Sequence, residues 1–211
     1  MVVKRRYESK RRQEQARQTR RAILDAAGRL FVRSGYAATT LAAVAAEAGV
    51  AVQTVYAVFG SKRQLLSQLV DVSIAGDDEP VDMPSRSFVV EIQALTDPRA
   101  KLARYARHLS EVHARHAAIM IILAGAATAD SDAAEIWRKN VEERRRGMTM
   151  FAAELVETGA VRAGHDTDSV ADVLWLAMDF RNYDWLVRER GWPVQRFERW
   201  YVDTVAGAVF D

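Results

Sequence analysis

The sequence predicts an all-α protein, with a three-helix helix-turn-helix module at the N-terminus and a larger helical domain after it. Apolar residues recur at three- and four-residue intervals in stretch after stretch, which is the period of a buried helix face. No alternating strand pattern of useful length interrupts them. The third observation is local: Leu41, Val44, Ala45 and Ala48 follow helical spacing, Gly49 supplies a turn with left-handed or otherwise strained geometry, and Val55, Val58 and Phe59 resume the pattern. Spacing alone also fits an ordinary helical hairpin inside an all-helical core.

Composition narrows the classes. With 211 residues, 49% of them hydrophobic, and only four prolines, the chain can bury a real core. The absence of cysteine excludes disulfides, thiol redox sensing and Cys-ligated metal. No apolar run approaches the roughly 20 residues of a membrane span, and the N-terminus is too basic and polar for a signal peptide. A soluble, cytoplasmic protein with no membrane partner is expected. The net charge of +2 hides an asymmetry: residues 1–70 hold 13 Lys or Arg against 4 Asp or Glu, whereas residues 71–211 hold 17 against 24. A basic module joined to an acidic one points to a nucleic-acid partner for the first, because neutralised phosphates supply most sequence-independent affinity.

Taken in order, residues 1–18 form a basic flexible arm. Lys4, Arg5, Arg6, Lys10, Arg11, Arg12 and Arg17 are opposed only by Glu8 and Glu14, with no apolar face to bury. Such an arm is expected to order only on DNA, where it can reach phosphates or a minor groove. A DNA-binding domain over residues 19–75 begins with Arg20, Arg21 and a helix carrying Ile23, Leu24, Ala27, Leu30 and Phe31 on one face, stopped by Gly35. Thr39 and Thr40 open the next helix, one hydroxyl capping it and the other meeting a phosphate. Ser61 caps a further helix from near Lys62, with Leu65, Leu66, Leu69, Val70 and Ile74 inward. An acidic, proline-containing stretch over residues 76–87 is the linker. The second domain, residues 88–211, starts with a short helix over 88–95. Asp97-Pro98 then opens a helix through Arg115. Residues 117–127, apolar on every side, should be buried. A helix capped by Asp130 or Ser131 runs to near Gly159, and helical stretches cover 166–190 and 193–210.

The order of basic arm, helix, Gly35-Tyr36, Thr39-Thr40, Gly49-Val50, Thr54-Val55-Tyr56, Phe59, Gly60-Ser61-Lys62 and Leu65-Leu66 resembles the tetracycline-repressor-like (TetR) family of transcriptional regulators over residues 18–70. A second set, Asp172 to Trp175, Tyr183, Val187 to Trp192 and Phe197 to Trp200, is similar to one C-terminal type of that family. The resemblance implies a DNA-binding domain ahead of a helical domain that dimerises and binds a small-molecule inducer. It places Thr40, Thr54, Tyr56 and Lys62 at phosphate-contacting positions, and Ala51, Val52, Gln53 and Ala57 where bases are read. Gln pairs bidentately with adenine, and Ala or Val can touch a thymine methyl. With Arg20 and Thr39 these form the expected DNA-binding set. Ala51 stands where the family often has a capping Ser or Thr, and Ala57-Val58 replace a polar or aromatic pair, so base contacts should be few and apolar.

Elsewhere, Met120, Met148, Phe151, Trp175, Met178 and Phe180 can line an apolar ligand cavity, although residues of this kind taken singly are more often core. Arg104, His108 or Asn140 can orient a ligand there. His113 and His116, three apart and with Glu111 nearby, can share a metal, yet histidines so placed are more often structural; no metal site and no cofactor are expected. Trp175, Tyr183, Trp185, Trp192, Phe197, Trp200, Tyr201 and Phe210 are more aromatic surface than one helix pair needs, which suits a homodimer reading two half-sites of a palindromic operator. The functional expectation is a repressor released from double-stranded DNA by a small apolar or amphipathic inducer. A regulator of the same fold without a physiological ligand, or an all-helical enzyme, are the alternatives.

Overall fold

Ten α-helices and one π-helical segment account for the computed structural model, which describes residues 2–76 and 85–211, with side chains from Arg11 onward. Most of the expected linker, residues 77–84, and the side chains of Lys4, Arg5, Arg6 and Lys10 lie outside the described residues. The helices are α1 (Val2–Ala38), α2 (Leu41–Ala48), α3 (Val52–Phe59), α4 (Lys62–Ala75), α5 (Ser87–Ala94), α6 (Pro98–Ala126), α7 (Ser131–Glu157), α8 (Thr167–Ala177), α9 (Phe180–Tyr183) and α10 (Val194–Val209). Among the described residues the only extended pairing is an isolated bridge between Val161 and Phe210.

Two compact units share these helices: residues 1–72 with 122–134, and residues 73–121 with 135–211. In the first, Ile23, Leu24, Ala27, Leu30 and Phe31 are buried, as their spacing requires. Gly35 breaks the helical backbone at φ 79°, ψ 163°, so regular α1 stops there and only a turn follows. At its other end α1 begins at Val2 and takes in the arm, for which no fixed structure away from DNA was expected. Arg, Gln, Glu and Lys are good helix formers that extend a helix nucleated by its packed half, and Gln18 donates to Glu14 one turn back at 3.3 Å. Residues 11–18 are all exposed, so this part of the arm is helical without burying a face.

α6, which both units share, corrects one expectation. It runs unbroken to Ala126, past Arg115, and the apolar run is not covered all round: Met120 and Leu123 are buried, whereas Ile121 is 37% exposed. Asp97 caps α6 by accepting from Arg99 and Ala100 N–H, and Asp130 rather than Ser131 caps α7, accepting from Ala133 N–H at 2.9 Å. The stretch 166–190 is also not one helix. α8 opens on a capping box between Asp166 and Ser169 and ends at Ala177, where Asn182 Nδ2 donates to the carbonyls of Leu176 and Ala177. Asp179 leaves helical geometry at φ −59°, ψ 130° and accepts from Arg181 N–H, restarting the chain as α9, and a π-helical segment follows over Asp184–Glu189. Between α5 and α7, buried Lys101 donates to the Ile92 carbonyl at 2.8 Å and meets Glu154 at 3.3 Å, so its charge is paired.

Two buried histidines set an acid limit on the second unit. His113 Nε2 lies 2.9 Å from the Met178 carbonyl, and His116 Nδ1 lies 2.7 Å from Ser73 Oγ. Burial, the largest cause in each case, pushes His113 down to about 4 and His116 down to about 3. Both stay neutral in the folded chain, whereas the unfolded chain protonates them below about 6.5. Their contribution is therefore fully present above pH 6.5 and is lost as pH falls from there toward 4. Urea denaturation at pH 7 and pH 5 should show a loss of roughly 2 kcal/mol between the two for each histidine. The loss should shrink in His116→Asn; an equal loss in that variant would assign the acid sensitivity to other groups.

Candidate nucleic-acid interface

The two threonines before α2 differ in burial, and only the capping task is filled as expected. Thr40, in extended geometry, accepts from Ala43 N–H at 3.1 Å and caps α2 while staying exposed. Thr39 is 3% exposed, and its hydroxyl donates to the Gly35 carbonyl at 2.8 Å, with the Leu30 carbonyl at 3.3 Å. That corrects the surface role expected of Thr39: it ties the end of α1 to the start of α2.

α2 ends at Gly49, whose φ of 69° and ψ of 32° are left-handed, with its N–H directed at the carbonyls of Ala45 and Ala46. A side chain there would meet nothing within 4 Å, so glycine is required by the backbone and not by crowding. Val50 N–H donates to Ala45 O at 3.0 Å and closes the turn. The result is a 110° bend between α2 and α3, the geometry of a helix-turn-helix.

α3 buries Val55 and Phe59 and exposes Gln53, Tyr56 and Ala57, with Val52 and Thr54 half-buried. Tyr56 is 54% exposed. Ala51 stands exposed at the N-cap and makes no side-chain cap bond, as its replacement of Ser or Thr implies. Beyond Gly60, Ser61 accepts from Gln64 N–H and caps α4. Lys62 donates to the Ala37 carbonyl at 3.2 Å and lies 4.2 Å from the centre of the Tyr36 ring, and burial holds its pKa below the ordinary lysine value. Its ammonium thus has structural work that the sequence did not reveal. Arg20 lies 5.2 Å over the Phe59 ring. Glu47 pairs with Arg29 at 3.0 Å and Arg33 at 3.6 Å, bridging α2 to α1, and the Arg29 hydrogen bond leads the lowering of its pKa.

The apolar set in the second unit is interior. Met120, Met148, Phe151, Met178 and Phe180 are buried and Trp175 is half-buried. The structure collects several of them around a residue that sequence reasoning missed, Tyr105. Its hydroxyl lies 3.9 Å from Met148 Sδ and 3.8 Å from Met178 Sδ, and its ring is 4.9 Å from Phe151 and 5.8 Å from Tyr201. Burial raises the pKa of both tyrosines. Arg144 lies 3.7 Å over the Trp175 ring and 3.6 Å from Asp179. Although it stands in the charged run Glu142 to Arg146, it is largely buried, and the only sequence signal was its place one turn before Met148. Phe180 packs edge-on to Trp137. Asn140 is buried, while His108 stacks on Phe88 and Arg104 pairs with Glu91. Among the described residues no group of His, Asp and Glu is placed to hold a metal. No single helix among them is long and apolar enough to cross a membrane.

Of the aromatic residues expected at a dimer interface, Tyr183, Phe197, Tyr201 and Phe210 are buried within their own unit. Trp185 is 52% exposed, and Leu176, next in sequence to Trp175, is 70% exposed.

Comparison with known proteins agrees with this geometry. Residues 23–69, α1 through α4, match the family model described as bacterial regulatory proteins, tetR family. Over 181 residues the chain is 29% identical to the HTH-type transcriptional regulator TtgR of Pseudomonas putida, covering 84% of this chain and 85% of that protein. The fold is similar to the transcriptional regulator FadR of Bacillus subtilis in complex with stearoyl-CoA, with a TM-score of 0.69, 18% identity, and 87% and 96% of the two chains covered. It is also similar to a protein of Saccharomonospora viridis in complex with choline, with a TM-score of 0.66, 20% identity, and 91% and 97% covered. With its helix-turn-helix at the matched residues, the chain carries the DNA-binding domain of the tetR family of bacterial regulatory proteins over residues 23–69.

Proposed function

We propose that the protein is a homodimeric, cytoplasmic repressor that binds a palindromic DNA operator and is released by a small apolar or amphipathic molecule. The observation that carries the DNA part is α3: Val55 and Phe59 anchor it, and an uncharged face of Gln53, Tyr56 and Ala57 points outward from a basic unit. Gln53 reads adenine, and the methyls of Ala51, Val52 and Ala57 read thymine. Thr40, Thr54, Tyr56, Lys62 and Arg20 hold the phosphates.

Release rests on differential affinity, since an inducer shifts the protein only toward the state it binds better. In the second unit, Arg144 Nε, Tyr201 Oη and His113 Nδ1 are buried without a hydrogen-bond partner among the described residues. Buried polar atoms left so are uncommon, and beside Met148, Phe151, Trp175 and Met178 they suit an amphipathic ligand. The ligands of the two similar structures, choline and an acyl-CoA, support a small-molecule role without identifying one here. Exposed Leu176 and Trp185 support dimerisation, which gives one short helix per subunit two half-sites to read.

Anisotropy titrations against the chain's own upstream DNA, with each base pair varied, test the assignment. Gln53→Ala should lose about 1–3 kcal/mol of discrimination at a single position; a uniform loss across sequences contradicts its role. Replacing Leu176 and Trp185 together by Asp should give a folded monomer in sedimentation that no longer prefers a two-half-site duplex. A dimer that persists would place the interface elsewhere.

A further inference from the structure

The second unit holds a cavity of about 320 Å³ that neither the DNA reading nor the apolar interior uses. It is walled by the end of α4, the start of α5 and one side of α6. From α6 come Arg104, His108, Glu111 and Arg115, spaced so that they share one helix face, and from the N-cap and first turn of α5 come Arg86 and Phe88. Three arginines thus line one space, and among the described residues Glu111 is the one carboxylate that lines it.

Each arginine is positioned by a named contact. Arg104 Nε donates to Glu91 at 2.6 Å. Arg115 donates from Nε to the Ser73 carbonyl at 3.0 Å and from Nη2 to the Ile74 carbonyl at 3.2 Å, and Arg86 donates to the Ala75 carbonyl at 3.3 Å. The last carbonyls of α4 are therefore held by two cations, a favourable arrangement at the negative end of a helix. Gly76 makes room for it, since a Cβ there would lie 2.8 Å from Arg115 Nη2. Beside them Phe88 and His108 stack at 3.4 Å and 10°, a flat apolar wall. Burial first, then Arg104, Arg115 and Arg86, push His108 down to about 4, which agrees with a positive field in the cavity.

We propose that this cavity binds a small organic anion, a carboxylate or phosphate monoester on a flat body, through Arg86, Arg104 and Arg115 and against the Phe88–His108 stack. Its acid oxygens draw on the guanidinium groups that cap α4, so binding and the end of α4 are coupled.

The test is calorimetric titration of the full chain at neutral pH with phenyl phosphate and, separately, benzoate, with benzyl alcohol as the uncharged control. At least one anion should bind saturably, and the two arms show which acid group the site prefers. Arg104→Gln and Arg86→Gln should each weaken that anion by about tenfold or more. Should a Gln variant fail to fold, Arg104→Lys keeps the charge but loses the planar fork, and it should still weaken phenyl phosphate. Hydrogen exchange in the last turn of α4 should change at saturation. Benzyl alcohol binding as tightly as the anions, no saturable anion binding, variants that bind as the parent does, or unchanged exchange at α4 would overturn the proposal. DNA takes no part in these measurements, so their failure is separable from failure of the repressor reading.

Discussion

The left-handed turn at Gly49 is the constraint on which the N-terminal unit depends. Any L side chain at φ 69° would be strained by about 1–2 kcal/mol. The turn fixes a 110° bend, and that bend lets Val55 and Phe59 be buried while Gln53, Tyr56 and Ala57 face out. The buried Thr39 hydroxyl and the Thr40 cap fix the opposite end of α2. Arg29 and Arg33, held by Glu47, tie α2 back to α1. A short helix with little stability of its own thus gains a defined direction from its neighbours.

Charge and specificity are separated in this unit. α3, Val52–Phe59, carries no charged residue, while the arm and α1 carry most of the positive charge of the first 70 residues. Lys62, the nearest cation after α3, is engaged with Ala37 and Tyr36, which positions it and spreads its charge over a ring. In the proposed complex the surroundings supply affinity and the helix supplies choice.

How much of this was legible follows from where the determining contacts lie. Helix faces, Gly35, Gly49, Asp97-Pro98 and the all-α class were readable because they depend on spacing and on local backbone rules. The break in residues 166–190 was not, since nothing local distinguishes Asp179 and Asn182 as caps until the chain has turned back on itself. Thr39 and Thr40 looked equivalent in sequence; only the proximity of Leu30 and Gly35 buries one of them. In the second unit, the Met and aromatic residues picked by composition are indeed interior. Of their organising partners, Tyr105 and Arg144 were missed and Tyr201 was assigned to a dimer surface, because the three lie on different helices and only tertiary structure brings them together. Arg104 and His108 were noticed but unplaced, and the structure sets them on one cavity with Arg86 and Arg115, apart from Asn140.

The most direct measurement of the central claim is the salt dependence of binding to the upstream operator and to a random duplex of equal length. If phosphate contacts supply affinity and an uncharged α3 supplies choice, both plots of log K against log salt fall steeply and in parallel, with a constant gap in favour of the operator. A gap that closes as salt rises, or no gap at any salt concentration, would contradict the account.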